Sequence, residues 1–166
     1  SYKNLEKAKI MYMNMQVKPS FSYDNSGMLV NNALYCYLSD DKFLLSFLNS
    51  NVSWFLISKY CTQIQNGFQL IYDYFKQIPI PKIDEESQKP FIKLVDEILE
   101  AKQKIKDYKS LLDEAIKTNS FDREIALKKE LENLENICTT NEKTIDQMVY
   151  KLYDLTPDEI KIVEGV

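Results

Sequence analysis

Two runs of apolar residues at heptad spacing constrain this chain more than anything else in it. From Phe91, apolar residues fall at Leu94, Ile98, Ala101, Ile105, Tyr108, Leu112 and Ala115, in steps that alternate between three and four, with Val95 and Leu99 beside them. A second seam runs Leu127, Leu131, Leu134, Cys138, Asn141, Ile145, Met148 and Leu152. Between them, "KTNSFD" supplies Asn119 and Ser120, a helix stop followed by a new N-cap. Helices of similar length joined by a short polar turn pack antiparallel, so a helical hairpin is expected over about 85–117 and 122–153. Asn141 takes a seam position, where a polar residue fixes register at some cost in stability. In "LTPDEI", Thr156 as N-cap, Pro157 at the first helical position and Glu159 three residues after the cap start a short helix over 157–164.

The hairpin is preceded by "FKQIPIPKIDEESQKPF" (75–91), which holds three of the five prolines. Pro79 and Pro81 fix their own backbone angles and bias Ile78 and Ile80 toward extended conformations. These isoleucines are expected to pack on opposite sides, one toward the globular half and one toward the hairpin. The segment therefore reads as a rigid corner. Asp84 caps the helix that follows, with Glu85 and Glu86 in its first turn. Pro90 requires either a bend in that helix or a short turn before it.

Residues 1–83 have a different texture. "KIMYMNMQV" (9–17) fits a strand apolar on both faces. "FSYDNSGML" signals a hairpin-like reversal near Gly27, and "ALYCYLS" (33–39) a further strand. From "DDKFLL" the period turns helical, with a break at Asn49-Ser50-Asn51 and Trp54 on the apolar face beyond it. "TQIQNGFQ" (62–69) reads as an exposed polar loop around Gly67, and "LIYDYFK" as a short helical or extended run. Tyr72, Tyr74 and Phe75 are read as core packing rather than a stacking platform. The expected fold class is α+β: a small strand-and-helix unit over 1–83, then the hairpin and short helix over 84–166.

Composition excludes several kinds of chemistry. The chain has no histidine and three widely separated glycines, so His-dependent nucleophilic machinery, a P-loop and a dinucleotide fingerprint are excluded. Cys36, Cys61 and Cys138 form no CxxC pair, leaving no basis for a zinc site; they suit a reducing, cytoplasmic setting as small apolar residues. No apolar run approaches the roughly 20 residues of a membrane span. Glu100-Ala101-Lys102 resembles half of a metal-nuclease motif, but the one Pro-Asp pair, Pro157-Asp158, follows it instead of preceding it. No initiator Met opens the chain, and a fragment of a larger protein is expected. The net charge of −4 divides unevenly. Residues 1–83 carry eight Lys/Arg against five Asp/Glu, and residues 84–166 carry thirteen against twenty. A polyanion would meet the first half.

In order along the chain, "FSYDNSGMLVNNALYCYLS", "LLSFLNSNVSWFLISKY", "FKQIPIPKI", "QKPFIKLVDEILEAK" and "IDQMVYKLYDLTPDEIKIVEG" resemble the TaqI-like C-terminal specificity domain. The most telling pieces are Leu48-Asn49-Ser50, the Ile78-Pro79-Ile80-Pro81 exit and the closing Tyr153-Asp154-Leu155-Thr156 with Glu159-Ile160. The resemblance runs from about residue 8 to 165. The domain occurs in restriction–modification enzymes that methylate adenine N6, including single-chain type IIG enzymes.

The resemblance implies a non-catalytic target-recognition domain that binds double-stranded DNA and positions it for a methyltransferase domain elsewhere in the parent chain. S-adenosylmethionine belongs to that parent domain, and no cofactor is expected here. Residues 117–141 look longer and more regularly heptad than a minimal member needs. This leaves open whether the hairpin is a spacer within one chain or a homodimerisation arm. Base reading suits the amides Gln63, Gln65, Asn66 and Gln69, although Gln and Asn also populate ordinary exposed loops. Phosphate positioning suits Lys18, Lys59 and Lys76, with the hydroxyls of Ser22 and Tyr23. Arg123, in the hairpin, is the single arginine. The alternative is a helical-hairpin module that binds a protein partner and no nucleic acid.

Overall fold

The apolar run at 9–17 does not stay in one strand. In the computed structural model, which describes residues 7–27 and 34–165, it divides at Asn14 into β1 (Lys9–Met13) and β2 (Met15–Gln16), which join different sheets. β1 is the centre of a three-stranded antiparallel sheet. It is flanked by β3 (Phe21–Asp24), with Tyr12 opposite Phe21, and by β4 (Leu34–Tyr37), with Tyr12 opposite Tyr35. A central strand covered on both faces needs no alternation, and Lys9 to Tyr12 are all buried. Lys9 meets that burial by an ion pair with Asp24 at 2.5 Å, which holds the Asp24 carboxyl down to about 2 with help from Ser26.

β3 and β4 do not pair with each other, so the reversal at Gly27 is not the turn of a hairpin between them. Asp24 accepts hydrogen bonds from the Ser26 N–H and hydroxyl, and Gly27 takes φ 81°, a left-handed conformation glycine adopts without strain. The remainder of that reversal, 28–33, lies outside the described residues.

The second sheet corrects the sequence expectation. Residues 62–69 are not a loop but a β-hairpin, β5 (Thr62–Ile64) and β6 (Gly67–Gln69), with β2 on the far side of β6. Asn66-Gly67 is a strong hairpin signal, and the polar character of the flanking residues masks it. Gly67 is required here. Its φ is 143°, and a Cβ at this position would stand 2.0 Å from the Gln16 carbonyl oxygen.

Between the sheets and the hairpin lie α1 (Lys42–Leu48), capped by Asp41, and α2 (Asn51–Tyr60), capped by Ser50. The Leu48-Asn49-Ser50 motif acts structurally. Asn49 accepts from the Phe21 N–H at 3.0 Å and donates to the Phe21 carbonyl at 2.9 Å, fastening β3 to the α1–α2 turn. α3 (Tyr72–Phe75) sends Phe75 onto Tyr12 and Phe21. Tyr72 and Tyr74, expected in the core, are exposed at 67% and 46%.

At the corner, Ile78 is buried and Ile80 exposed, so the expected packing of both isoleucines is not found. The corner is fastened instead by the Tyr153 hydroxyl, which donates to the Pro79 carbonyl at 2.8 Å. Asp84 caps α4 (Glu85–Lys117), which continues through Pro90 on its solvent side. α4 turns into α5 (Phe121–Leu152) through Asn119 at φ 54°. There the Ser120 N–H bonds the Ala115 carbonyl and the Asn119 N–H bonds that of Ile116, closing the helix C-terminus. Ser120 holds the N-cap position of α5 without a side-chain cap; its hydroxyl meets Thr118 at 3.2 Å. Asn141, buried in the seam, donates to Glu97 at 2.8 Å. A capping box of Thr156 and Glu159 starts α6 (Pro157–Glu164).

The fold is α+β, but one core crosses the boundary near residue 83. Phe43 meets Phe91 edge-on at 5.1 Å, Phe47 stacks on Tyr153, and the core continues through Ile98, Ile145 and Val149 to Val163 of α6. That core sets the sheets at a defined angle to the hairpin. Among the described residues, no helix is long and apolar enough to cross a membrane.

Candidate nucleic-acid interface

Lysine attracts a polyanion and carboxylates repel it, so a surface without carboxylates meets one at lower electrostatic cost. Of the 25 Asp and Glu residues, none falls within 7–23 or 42–72. These two runs are distant in sequence. The pairing of β2 with β6 brings parts of them into one sheet, so the whole of β2–β6–β5 is made without an acidic residue.

Strand alternation sorts this sheet into two faces. Gln16, Phe68 and Gln63 share one register line and one face, where Phe68 meets Trp54 at 5.2 Å in a T-shaped contact. Met15, Gln69 and Thr62 form the adjacent line on the opposite, outward face. Met15 is exposed there at 59%, and Val17, just after β2, at 69%. Gln65 and Asn66 make the exposed turn between β5 and β6. The four amides singled out from the sequence are therefore not equivalent. Gln65 and Asn66 are at the tip, Gln69 is on the outward face, and Gln63 is on the edge strand with the face that carries Phe68.

Two of the three lysines lie close in the chain to strands of this sheet. Lys18 follows β2 and is exposed. Lys59, near the end of α2 just before β5, is also exposed, with its ammonium 4.8 Å from the Phe55 ring centre. Lys76 follows α3, lies 5.2 Å from the Tyr72 ring centre and pairs with Asp73 at 2.6 Å, an interaction that raises its pKa.

Ser22 and Tyr23 are elsewhere. With Lys18 they line a groove of about 700 Å³ between β3, the α1–α2 turn and the hairpin. Ser22 donates to the Met11 carbonyl at 3.4 Å. Tyr23 donates its hydroxyl proton to Asp40, which pushes the phenol up to about 12. The far wall adds Lys102 and Gln103 of α4, neither of them among the site residues expected from the sequence, but also Glu142 and Asp146 of α5. Burial raises the Asp146 carboxyl to about 6, against the lowering effect of the Asn51 N–H. This groove is thus mixed in charge, whereas the sheet face is not. The signal that could have located the sheet face, the two carboxylate-free runs, is legible in the sequence; the pairing that joins them is not.

Residues 1–80 match the family model of the TaqI-like C-terminal specificity domain. The match takes in Leu48-Asn49-Ser50 and both sheets and ends at Ile80, inside the corner. The resembling stretches in the hairpin and at 145–165 lie beyond it. No curated protein matches the chain.

Proposed function

We propose, from the premise that residues 1–80 are a TaqI-like specificity domain of the restriction–modification kind, that this chain recognises duplex DNA and positions it for an adenine-N6 methyltransferase domain of a longer parent protein. The carrying observation is the coincidence of the family match with the carboxylate-free sheet β2–β6–β5. Lys18 and Lys59 supply phosphate contacts, which position without specifying, and the amides of the sheet supply base contacts. The hairpin, continuous with the core through Phe43 and Phe91, holds the reading face at a fixed orientation to the rest of the parent. Base flipping, methyl transfer and S-adenosylmethionine belong to that parent domain.

Titration of the 166-residue chain into a labelled mixed-sequence duplex at low salt tests this. Binding that weakens log-linearly with added salt is expected. Absence of salt-dependent binding counts against the proposal.

A second reading makes the hairpin an interaction arm, for a protein partner or a second copy. Its distal end favours this, with Ile116, Phe121 and Ile125 exposed at 49%, 70% and 67%. Sedimentation over a range of concentrations tests the second-copy form, which requires a dimer that F121S/I125S dissociates.

A further inference from the structure

Resting on the DNA-recognition reading above, we infer that the Gln65–Asn66 turn of the β5–β6 hairpin enters the major groove and that its readout is of A·T pairs. Three observations carry this. The first is shape. β2 pairs with Phe68 and Gln69 and its end at Gln16 and Val17 lies against Gly67, so the Gln65–Asn66 turn is the exposed end of the three-stranded sheet. A two-residue turn fits within the roughly 12 Å width of the B-DNA major groove.

The second is charge. The sheet and its turn contain no carboxylate, and Lys18 and Lys59 lie close in the chain to β2 and β5, so the turn can approach the phosphate backbones without carboxylate repulsion. The mixed groove beside Ser22 holds Glu142 and Asp146 and does not meet this condition.

The third is the chemistry of the exposed side chains. Gln65 and Asn66 at the tip and Gln69 on the outward face are amides, which pair a donor and an acceptor with adenine N6 and N7. Met15, opposite Gln69, and Val17, against Gly67, are exposed and offer the apolar contact that a thymine methyl group takes. Guanine is read most often by arginine or lysine; β2, β5, β6 and the turn contain neither, and the one arginine, Arg123, is in α5 at the far end of the hairpin. Amide donors, methyl-seeking apolar groups and the lack of both arginine and lysine in the strands and turn together point to adenine and thymine.

Selection from randomised duplexes with the 166-residue chain at low salt tests the inference. The wild-type pool is expected to enrich A·T at adjacent positions. Q65A/N66A is expected to lose that preference by on the order of ten-fold while keeping its salt-dependent binding to mixed sequence. N66D preserves a turn-forming side chain but removes the amide donor; it is expected to move the preference from adenine toward cytosine, whose N4 donates to a carboxylate. Enrichment of G·C pairs, or an A·T preference that survives Q65A/N66A and is unmoved by N66D, overturns this inference and leaves DNA recognition standing. Absence of salt-dependent binding overturns both.

Discussion

Asn51 and Asp146, 95 residues apart, share two hydrogen bonds: the Asn51 backbone N–H reaches Asp146 Oδ1 at 2.7 Å, and its side-chain amide reaches Oδ2 at 3.1 Å. The same amide nitrogen lies 3.0 Å from the Tyr150 hydroxyl, which in turn lies 3.1 Å from Glu164. One residue at the start of α2 thereby ties the matched domain to α5 and, through Tyr150, to α6. Hydrogen bonds to a charged group are worth about 1.5–3 kcal/mol, so Asn51→Ala is expected to cost about 2 kcal/mol in urea unfolding.

Asp146 also sets a pH dependence. Its carboxyl is raised from 3.8 to about 6 in the folded state because burial disfavours the ion. The folded chain therefore holds this proton more tightly than the unfolded chain. The contribution is fully present below about pH 4, falls as pH rises toward 6 and is lost above it. With allowance for solvent screening of this half-buried group, the change is about 1 kcal/mol. Asp146→Asn should flatten that part of the stability profile, as followed by denaturant unfolding between pH 4 and 8.

Gly67→Ala should destabilise the second sheet locally. The new Cβ would meet the Gln16 carbonyl at 2.0 Å, and φ 143° is strained for any side chain. A loss of about 2–3 kcal/mol is expected, with faster amide exchange across β2 and β6 than in β1.

The lysines should separate by their surroundings. Lys18→Ala and Lys59→Ala should each reduce the slope of log affinity against log salt by about 1, with sequence preference unchanged. Lys76→Ala should have a smaller effect, because Asp73 already neutralises that ammonium at 2.6 Å. Duplex titrations at several salt concentrations measure the slopes.

The corner can be loosened in two ways. Tyr153→Phe removes the hydrogen bond to the Pro79 carbonyl and should cost about 1 kcal/mol. Pro79→Gly with Pro81→Gly should cost about 1–2 kcal/mol through the added freedom of the unfolded chain. If the corner sets the angle of the proposed reading face, both changes lower the chain's sequence discrimination by more than they lower its non-specific binding. Competition between cognate and mixed-sequence duplexes measures that ratio.

By itself, the sequence determined what depends on neighbours within about one helical turn. The heptad steps became α4 and α5, Asp84 and Thr156 capped α4 and α6, and Asn49-Ser50-Asn51 separated α1 from α2. The seam dictated which helix faces are buried, because its spacing repeats the geometry of the helix. Tertiary structure decided what depends on distant segments meeting. It divided 9–17 between two sheets, and it turned the polar stretch at 62–69 into a hairpin whose edge needed β2. It placed Ser22 and Tyr23 in a mixed groove, apart from the amides they were grouped with. It made Asn51 a tie to Asp146. Strand pairing and long-range hydrogen bonds carry no local period; they exist only once the core around Phe47, Ile57 and Val149 has brought the segments together.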